Sequence, residues 1–250
     1  MSADSKNQQY DALPHCADCM IRVTGVCSGA TAVDLRALEQ AKVYRRFGPG
    51  ETIALAGSRM THIGTVMSGV CTLARTQGRG TRQIVGLLQP GDFLGRPWRT
   101  ISPFDVETAT AVELCGFRPA VFEGLLDRMD GLRRRMMEMM LDELDAARSW
   151  LTILARKTAR EKLASLLVNM TLRQNTAPLR GKPCRVDIML SREQIADLLS
   201  MTFETVSRQL TSLAREGLIL PVTRRVFDVP DLHALMQASG EDADGGFFHV

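Results

Sequence analysis

Residues 15–27 read HCADCMIRVTGVC, a C-x-x-C pair at Cys16 and Cys19 followed, beyond Gly25, by Cys27. Cysteines so spaced wrap one side of a metal centre or carry out thiol redox chemistry, unless an oxidising compartment turns them into a disulfide staple. A second group with chemical potential lies near the other end of the chain. Glu204, Ser207 and Arg208 stand at i, i+3 and i+4, so on a helix they share one stripe. There Arg208 can fork to O6 and N7 of guanine, Glu204 can accept from a cytosine N4, and Ser207 can meet a thymine edge.

Composition narrows both readings. The chain has 250 residues, 45% of them apolar, enough for one large or two modest domains. No apolar run approaches the roughly 20 residues of a membrane helix, and the start MSADSKNQQYD lacks the pattern of a signal peptide, so a cytoplasmic protein without membrane contact is expected. In that compartment six cysteines are far more consistent with metal binding than with a disulfide scaffold. No thioredoxin-like βαβ pattern surrounds Cys16 and Cys19, which argues against a thiol redox enzyme and leaves no enzymatic activity expected. Charge is uneven: residues 156–225 hold thirteen Lys and Arg against six Asp and Glu, the balance of a nucleic-acid-binding region.

The elements that must position these residues are partly readable. In LSREQIADLLSMTFETVSRQLTSLAREGLI, residues 190–219, Ser191 and Gln194 form a capping box for one helix with Ile195, Leu198 and Leu199 as its apolar face. A turn at Ser200 and Met201 leads to a second helix, capped by Thr202, lined by Val206, Leu210 and Leu213, and stopped by Gly217. Two such helices make a helix-turn-helix, whose second member reads bases with its N-terminal residues. LPVTRRVFDVP then supplies a β-hairpin wing. Arg224 and Arg225, with Arg192 and Thr202, are the expected phosphate contacts, which position the domain without specifying sequence.

Upstream, residues 43–118 alternate short apolar stretches with glycine turns, the texture of an antiparallel roll or sandwich. From Pro119 to about Asn169 the pattern becomes helical, and Met137, Met140, Leu144, Ala147, Leu151, Leu154 and Thr158 recur at alternating steps of three and four. A sustained stripe of this kind favours a two-helix seam and hence a homodimer, with packing inside its own domain as the alternative. The expected organisation is a cysteine-rich segment (1–30), a β-roll sensor (31–120), a dimerisation helix (121–158), a winged helix-turn-helix (159–238) and a flexible tail (239–250).

The run ETVSRQL between LSREQIADLL and LAREGLI, together with PGDFLG in the roll region, resembles the Crp/Fnr superfamily of bacterial transcription regulators. The resemblance spans nearly the whole chain and implies an α+β fold: an N-terminal antiparallel β-roll of cupin-like jelly-roll type, a long dimerisation helix and a C-terminal winged helix-turn-helix. The pattern at Glu204, Ser207 and Arg208 is similar to that of Fnr-type members, which implies binding to TTGAT-like half-sites of double-stranded DNA arranged as an inverted repeat. Ser200 departs from the glycine the family usually has in that turn.

The resemblance also bears on the ligand. GDFLG is followed by RPWRTISPFD, without the Arg-Ser/Thr-Ala segment of cyclic-nucleotide-binding members, so no cyclic nucleotide is expected and Arg96 reads as a surface loop residue. A haem-sensing role for His62 is less expected than a structural one. Cys115, in VELCGFRP, matches the distant fourth cysteine of Fnr-type sensors. Four thiolates suit a [4Fe-4S] cluster and suit zinc almost as well, the alternative being a regulator with a structural zinc site and no oxygen response. The resemblance favours the cluster at Cys16, Cys19, Cys27 and Cys115, and implies conversion to [2Fe-2S] by oxygen, dissociation of the dimer, and control of anaerobic genes through contacts with RNA polymerase. The loop RTQGRGTRQ is the expected polymerase contact, or else a solvated hairpin tip; Cys71 and Cys184 read as ordinary small residues.

Overall fold

The computed structural model describes residues 15–76, 78, 80, 82–175 and 182–240. Two 3-10 turns, Met20–Val23 and Val26–Gly29, carry the cysteine-rich segment into helix α1 (Ala32–Ala41), which starts at a reciprocal capping box between Thr31 and Asp34. Eight short strands follow: β1 (Val43–Phe47), β2 (Thr52–Ala54), β3 (Ile63–Ser68), β4 (Cys71–Thr76), β5 (Arg82–Leu88), β6 (Phe93–Leu94), β7 (Asp105–Thr108) and β8 (Val112–Phe117). They form two antiparallel four-stranded sheets, β1-β8-β3-β6 and β2-β7-β4-β5. Between them Met60, Val66, Leu94, Val106 and Leu114 make an apolar interior, with Cys71 wholly buried among them. This is the expected roll, and Cys71 serves it as a small apolar residue.

The helical region expected over 121–158 is two helices. Pro119 opens α2 (Pro119–Arg128), Met129 adopts an extended conformation at φ −119° and ψ 94°, and α3 (Asp130–Arg156) runs on from it. Periodicity along a sequence does not register a single extended residue, so the break was invisible there. Thr158, the last member of the stripe, lies outside α3: its side chain accepts from Glu161 N–H and caps α4 (Ala159–Gln174).

The C-terminal domain is built around α4, whose Leu163, Leu166, Leu167 and Met170 are fully buried. Around it stand β9 (Cys184–Asp187), α5 (Arg192–Leu199), α6 (Phe203–Arg215), β10 (Leu220–Pro221), β11 (Val226–Val229) and α7 (Leu232–Ala238), the strands pairing in the order β10-β11-β9. Cys184 is buried in this core. The two domains pack directly: Val70, Ala74 and Ile84 of the roll share a core with α5, and Arg173 pairs with Asp92 at 2.5 Å.

Candidate metal centre and nucleic-acid interface

The four cysteines expected to act together line one cavity, along with Tyr44, Thr65, Met67 and Phe117. Cys115 reaches it from the middle of β8, where its backbone stands opposite Tyr44 of β1 and Thr65 of β3. The other three come from the loop that crosses the roll surface, and Cys16, Cys27 and Cys115 pack against a core formed by Leu35, Leu38, Phe117, Phe122, Leu126 and Leu132. Burial, followed by a hydrogen bond to Glu39, pushes the Cys16 thiol up to about 12, and burial beside Cys19 pushes Cys27 up to about 11. Cys115 is raised by burial and then by Cys27 and Cys16. Thiols that disfavour one another's ionisation are the arrangement a bound cation reverses, because it keeps every thiolate charged. The donor set therefore fits a metal group.

Zinc would require four sulfurs about 2.3 Å from one centre. Among the described residues no three His, Cys, Asp or Glu side chains converge on a single ion position. Four thiolate donors can serve a tetrahedral zinc or, one to each iron, an iron-sulfur cluster.

One charged pair braces the site. The Cys16 backbone N–H donates to Glu39 Oε2 at 2.6 Å, Lys42 Nζ lies 2.8 Å from Glu39 Oε1, and His15 Nδ1 stands 3.6 Å from the same carboxylate. Burial opposes ionisation of Glu39, yet hydrogen bonds from Lys42 and the Cys16 N–H hold it down to about 2. Sequence reasoning missed Glu39 and Lys42, because an i, i+3 pair at a helix end reads as an ordinary solvated pair.

The cysteine segment also reaches α3 without passing through Cys115. Gly29 and Gly131 touch backbone to backbone: a Cβ built on Gly29 would stand 2.2 Å from the Gly131 carbonyl oxygen, and one on Gly131 2.0 Å from the Gly29 oxygen. Arg135 Nη2 donates to Thr24 O at 3.1 Å, and the Arg135 Nε is buried without a partner among the described residues. The N-terminal loop thus meets α3 directly as well as through the roll.

Along α3 the side chains at Met137, Met140, Ala147 and Leu151 are exposed; Leu144 is 44% exposed and Leu154 half-buried. Only Leu132, Met136 and Ile153 of this helix are buried. The stripe thus does not pack inside its own domain.

In the C-terminal domain the local signals act as read. Ser191 and Gln194 form the capping box of α5, the Thr202 hydroxyl accepts from Thr205 N–H at the start of α6, and Gly217 at φ +74° ends that helix. Val206, Leu210 and Leu213 face the core, leaving Glu204 and Arg208 exposed and Ser207 half-buried. Its own backbone N–H and the Thr202 hydroxyl hold the Glu204 carboxyl below the usual range. Ser200 takes the left-handed conformation, φ 52° and ψ 53°, and its hydroxyl donates to Gln83 Oε1 at 3.1 Å. Gln83, at the base of the hairpin RTQGRGTRQ, also donates to the carbonyls of Asp197 and Leu198, so this stem is taken up by the chain's own DNA domain. Gln77, Arg79 and Thr81 of that loop, like most of the tail, lie outside the described residues.

The four phosphate candidates separate. Arg224 and Arg225 are exposed at the wing tip, and Thr202 is exposed at its helix start. Arg192 donates to Arg224 O at 3.0 Å and lies 5.9 Å over the Phe227 ring, so it props the wing. His62 Nδ1 stands 2.8 Å from Arg45 Nη1, a structural engagement. A cavity of about 570 Å³ lies between the loop after Gly95 and Met136, Met139 and Met140 of α3, with exposed Arg96 at its edge.

A winged helix-turn-helix joined by a long helix to a β-roll defines a DNA-binding transcription regulator. The chain belongs to the Crp/Fnr family. A Crp-like helix-turn-helix domain matches residues 161–238 and a cyclic nucleotide-binding domain residues 44–129. Over 236 residues it is 43% identical to the transcriptional activator protein FnrL of Cereibacter sphaeroides, covering 94% of this chain and 95% of that protein. It is 37% identical over 204 residues to the nitrogen fixation regulation protein FixK of Bradyrhizobium diazoefficiens, covering 82% and 85%. The solved structure of FixK2 from Bradyrhizobium japonicum superposes with a TM-score of 0.72 at 23% identity, covering 80% of this chain and 98% of that one, and shows the same fold. No helix among the described residues is long and apolar enough to cross a membrane.

Proposed function

We propose that the chain is an oxygen-responsive activator of anaerobic genes that holds a [4Fe-4S] cluster through Cys16, Cys19, Cys27 and Cys115. In this reading it dimerises along α3, binds TTGAT-like inverted repeats and contacts RNA polymerase. The observation that carries it is that four thiols from two remote segments line one cavity. A cluster held by these four cysteines would supply an oxygen-labile link between those segments. The loop after Gly95 has no helix whose N-terminus would receive a cyclic phosphate, which favours the thiol pocket over a nucleotide as the sensing site. The test is iron and sulfide analysis of protein purified without oxygen, repeated after air, beside sedimentation. Iron without sulfide, or zinc with an unchanged dimer in air, overturns the reading.

The chain's own residues carry the signal. Seating Cys27 draws Val26–Gly29 onto the first turn of α3 through the Gly29–Gly131 contact and the Arg135–Thr24 bond, and this holds the helix in the position where its exposed stripe meets a second copy. Gly131→Ala pushes the loop away without harming the helix, because alanine is the better helix former. Its iron uptake and its dimer are both expected to weaken, the dimer by about tenfold or more when compared at equal iron content. Gly124→Ala, whose Cβ enters open space on α2, is expected to change neither. Equal dimer affinities in the Gly131→Ala protein and the wild type would rule out this route.

Each DNA contact has its own signature. Arg208→Ala is expected to lose guanine discrimination worth about 1–3 kcal/mol per half-site, seen as converging affinities for cognate and guanine-substituted repeats at one salt concentration. Arg224→Ala is expected to weaken all sequences alike and reduce the salt slope by about 1.

A further inference from the structure

Beside the four cysteines lies a cation the sequence does not advertise. The Lys42 side chain is only 7% exposed, and its Nζ stands 2.8 Å from Glu39 Oε1 and 3.7 Å from Cys16 Sγ. It also sits 4.8 Å over the ring of Tyr44, whose backbone stands opposite Cys115. Glu39 also touches Cys16, through that residue's backbone N–H and its thiol, but Glu39 is a third exposed and water screens part of its charge, whereas the ammonium is almost wholly buried.

We infer that Lys42 is the charge-compensating residue of the cysteine pocket: its buried ammonium, anchored by Glu39 and aimed at Cys16 Sγ, offsets the negative charge of the bound thiolate set and sets how readily that site accepts an electron. The inference rests on the reading of the pocket as an iron-sulfur site. Potentials of such sites follow net charge, hydrogen bonds to sulfur and solvent exposure. Burying a lysine costs free energy unless it is paired, and Glu39 supplies the pair while leaving the ammonium's field on the sulfurs.

The experiment compares Lys42→Met, which keeps the length and loses the charge, with Lys42→Arg, which keeps the charge, and with Glu39→Gln, which removes the opposing charge but leaves an acceptor for the Cys16 N–H. Each is purified without oxygen, checked by thermal melting and iron and sulfide content, and titrated electrochemically for one-electron uptake. Lys42→Met is expected to have a more negative midpoint potential, Lys42→Arg one near the wild type, and Glu39→Gln a shift of the opposite sign. Failure of Lys42→Met alone to take up iron, with Lys42→Arg loading normally, also supports the assignment. An unchanged potential in fully loaded Lys42→Met overturns it, as do shifts of one sign in both Lys42→Met and Glu39→Gln, which mark a packing defect. If the wild type takes up no iron and sulfide, the iron-sulfur reading fails on its own. Lys42 is then judged by cobalt(II) binding to the same proteins: binding at least tenfold weaker in Lys42→Met and restored in Lys42→Arg supports it, and equal binding overturns it.

Discussion

Cys115→Ala, purified without oxygen, is expected to contain little iron or sulfide and to sediment largely as a monomer, while Cys71→Ala and Cys184→Ala retain both cluster and dimer. The contrast follows from where the three thiols lie. Cys115 lines the same cavity as Cys16, Cys19 and Cys27. Cys71 is sealed between the two sheets of the roll, and Cys184 belongs to the core of the DNA domain. A four-iron cluster needs a ligand on each iron, and removing the strand-borne thiol disconnects the loop from the roll at its most rigid anchor, the middle of β8 between β1 and β3. Alanine in β8 keeps the pairing of Tyr44 and Thr65 with that position, so the roll itself is expected to survive, and a thermal melt checks it. His15, already turned to Glu39 at 3.6 Å, is the nearest substitute ligand for Cys16 but has no comparable position for Cys115. The fourth ligand must be reassigned should Cys115→Ala retain an oxygen-labile cluster while Cys71→Ala loses it.

What the sequence disclosed was local. The capping box of Ser191 and Gln194, the cap at Thr202 and the stop at Gly217 each depend on residues a few positions apart, and each forms as read. Glu204 and Arg208 are exposed because Val206, Leu210 and Leu213, at helical spacing, claim the opposite face. The cysteine set was half local: Cys16, Cys19 and Cys27 stand out by spacing, whereas Cys115 needed a family pattern because strand pairing brings it to them. What stayed hidden is contact between remote segments made by residues with little to show. Gly29 and Gly131 have no side chains, and their value lies in letting two backbones touch. Lys42 looks solvated until α1 is laid across the cysteine loop. Gln83 looks like part of a hairpin facing solvent until its amide is seen gripping the carbonyls at the end of α5.

Leu144→Asp is expected to give a monomer even without oxygen and with a full complement of iron. The helix that carries Leu144 turns Leu132 and Met136 into the roll, yet leaves Met137 61%, Leu144 44% and Leu151 68% exposed. A row of large apolar side chains facing water on a long helix is unfavourable in isolation and favourable only when a second copy covers it. Across a two-fold axis each substitution acts twice, so two buried leucines, worth about 1.5–3 kcal/mol each, are replaced by two carboxylates that must lose water beside a like charge. Leu144 is 44% exposed before pairing, so the apolar part of this loss, doubled, weakens the dimer by roughly tenfold, about 1.4 kcal/mol being a factor of ten, and the desolvated carboxylates weaken it further. Because the substituted position lies away from the cysteine cavity, iron and sulfide are expected to match the wild type, which separates this variant from Cys115→Ala. Binding to a single half-site is expected to persist at high protein concentration, while affinity for the paired repeat collapses toward it. Sedimentation of the iron-loaded protein decides the matter: an unchanged dimer would mean that the exposed face of α3 meets something other than a second copy of itself.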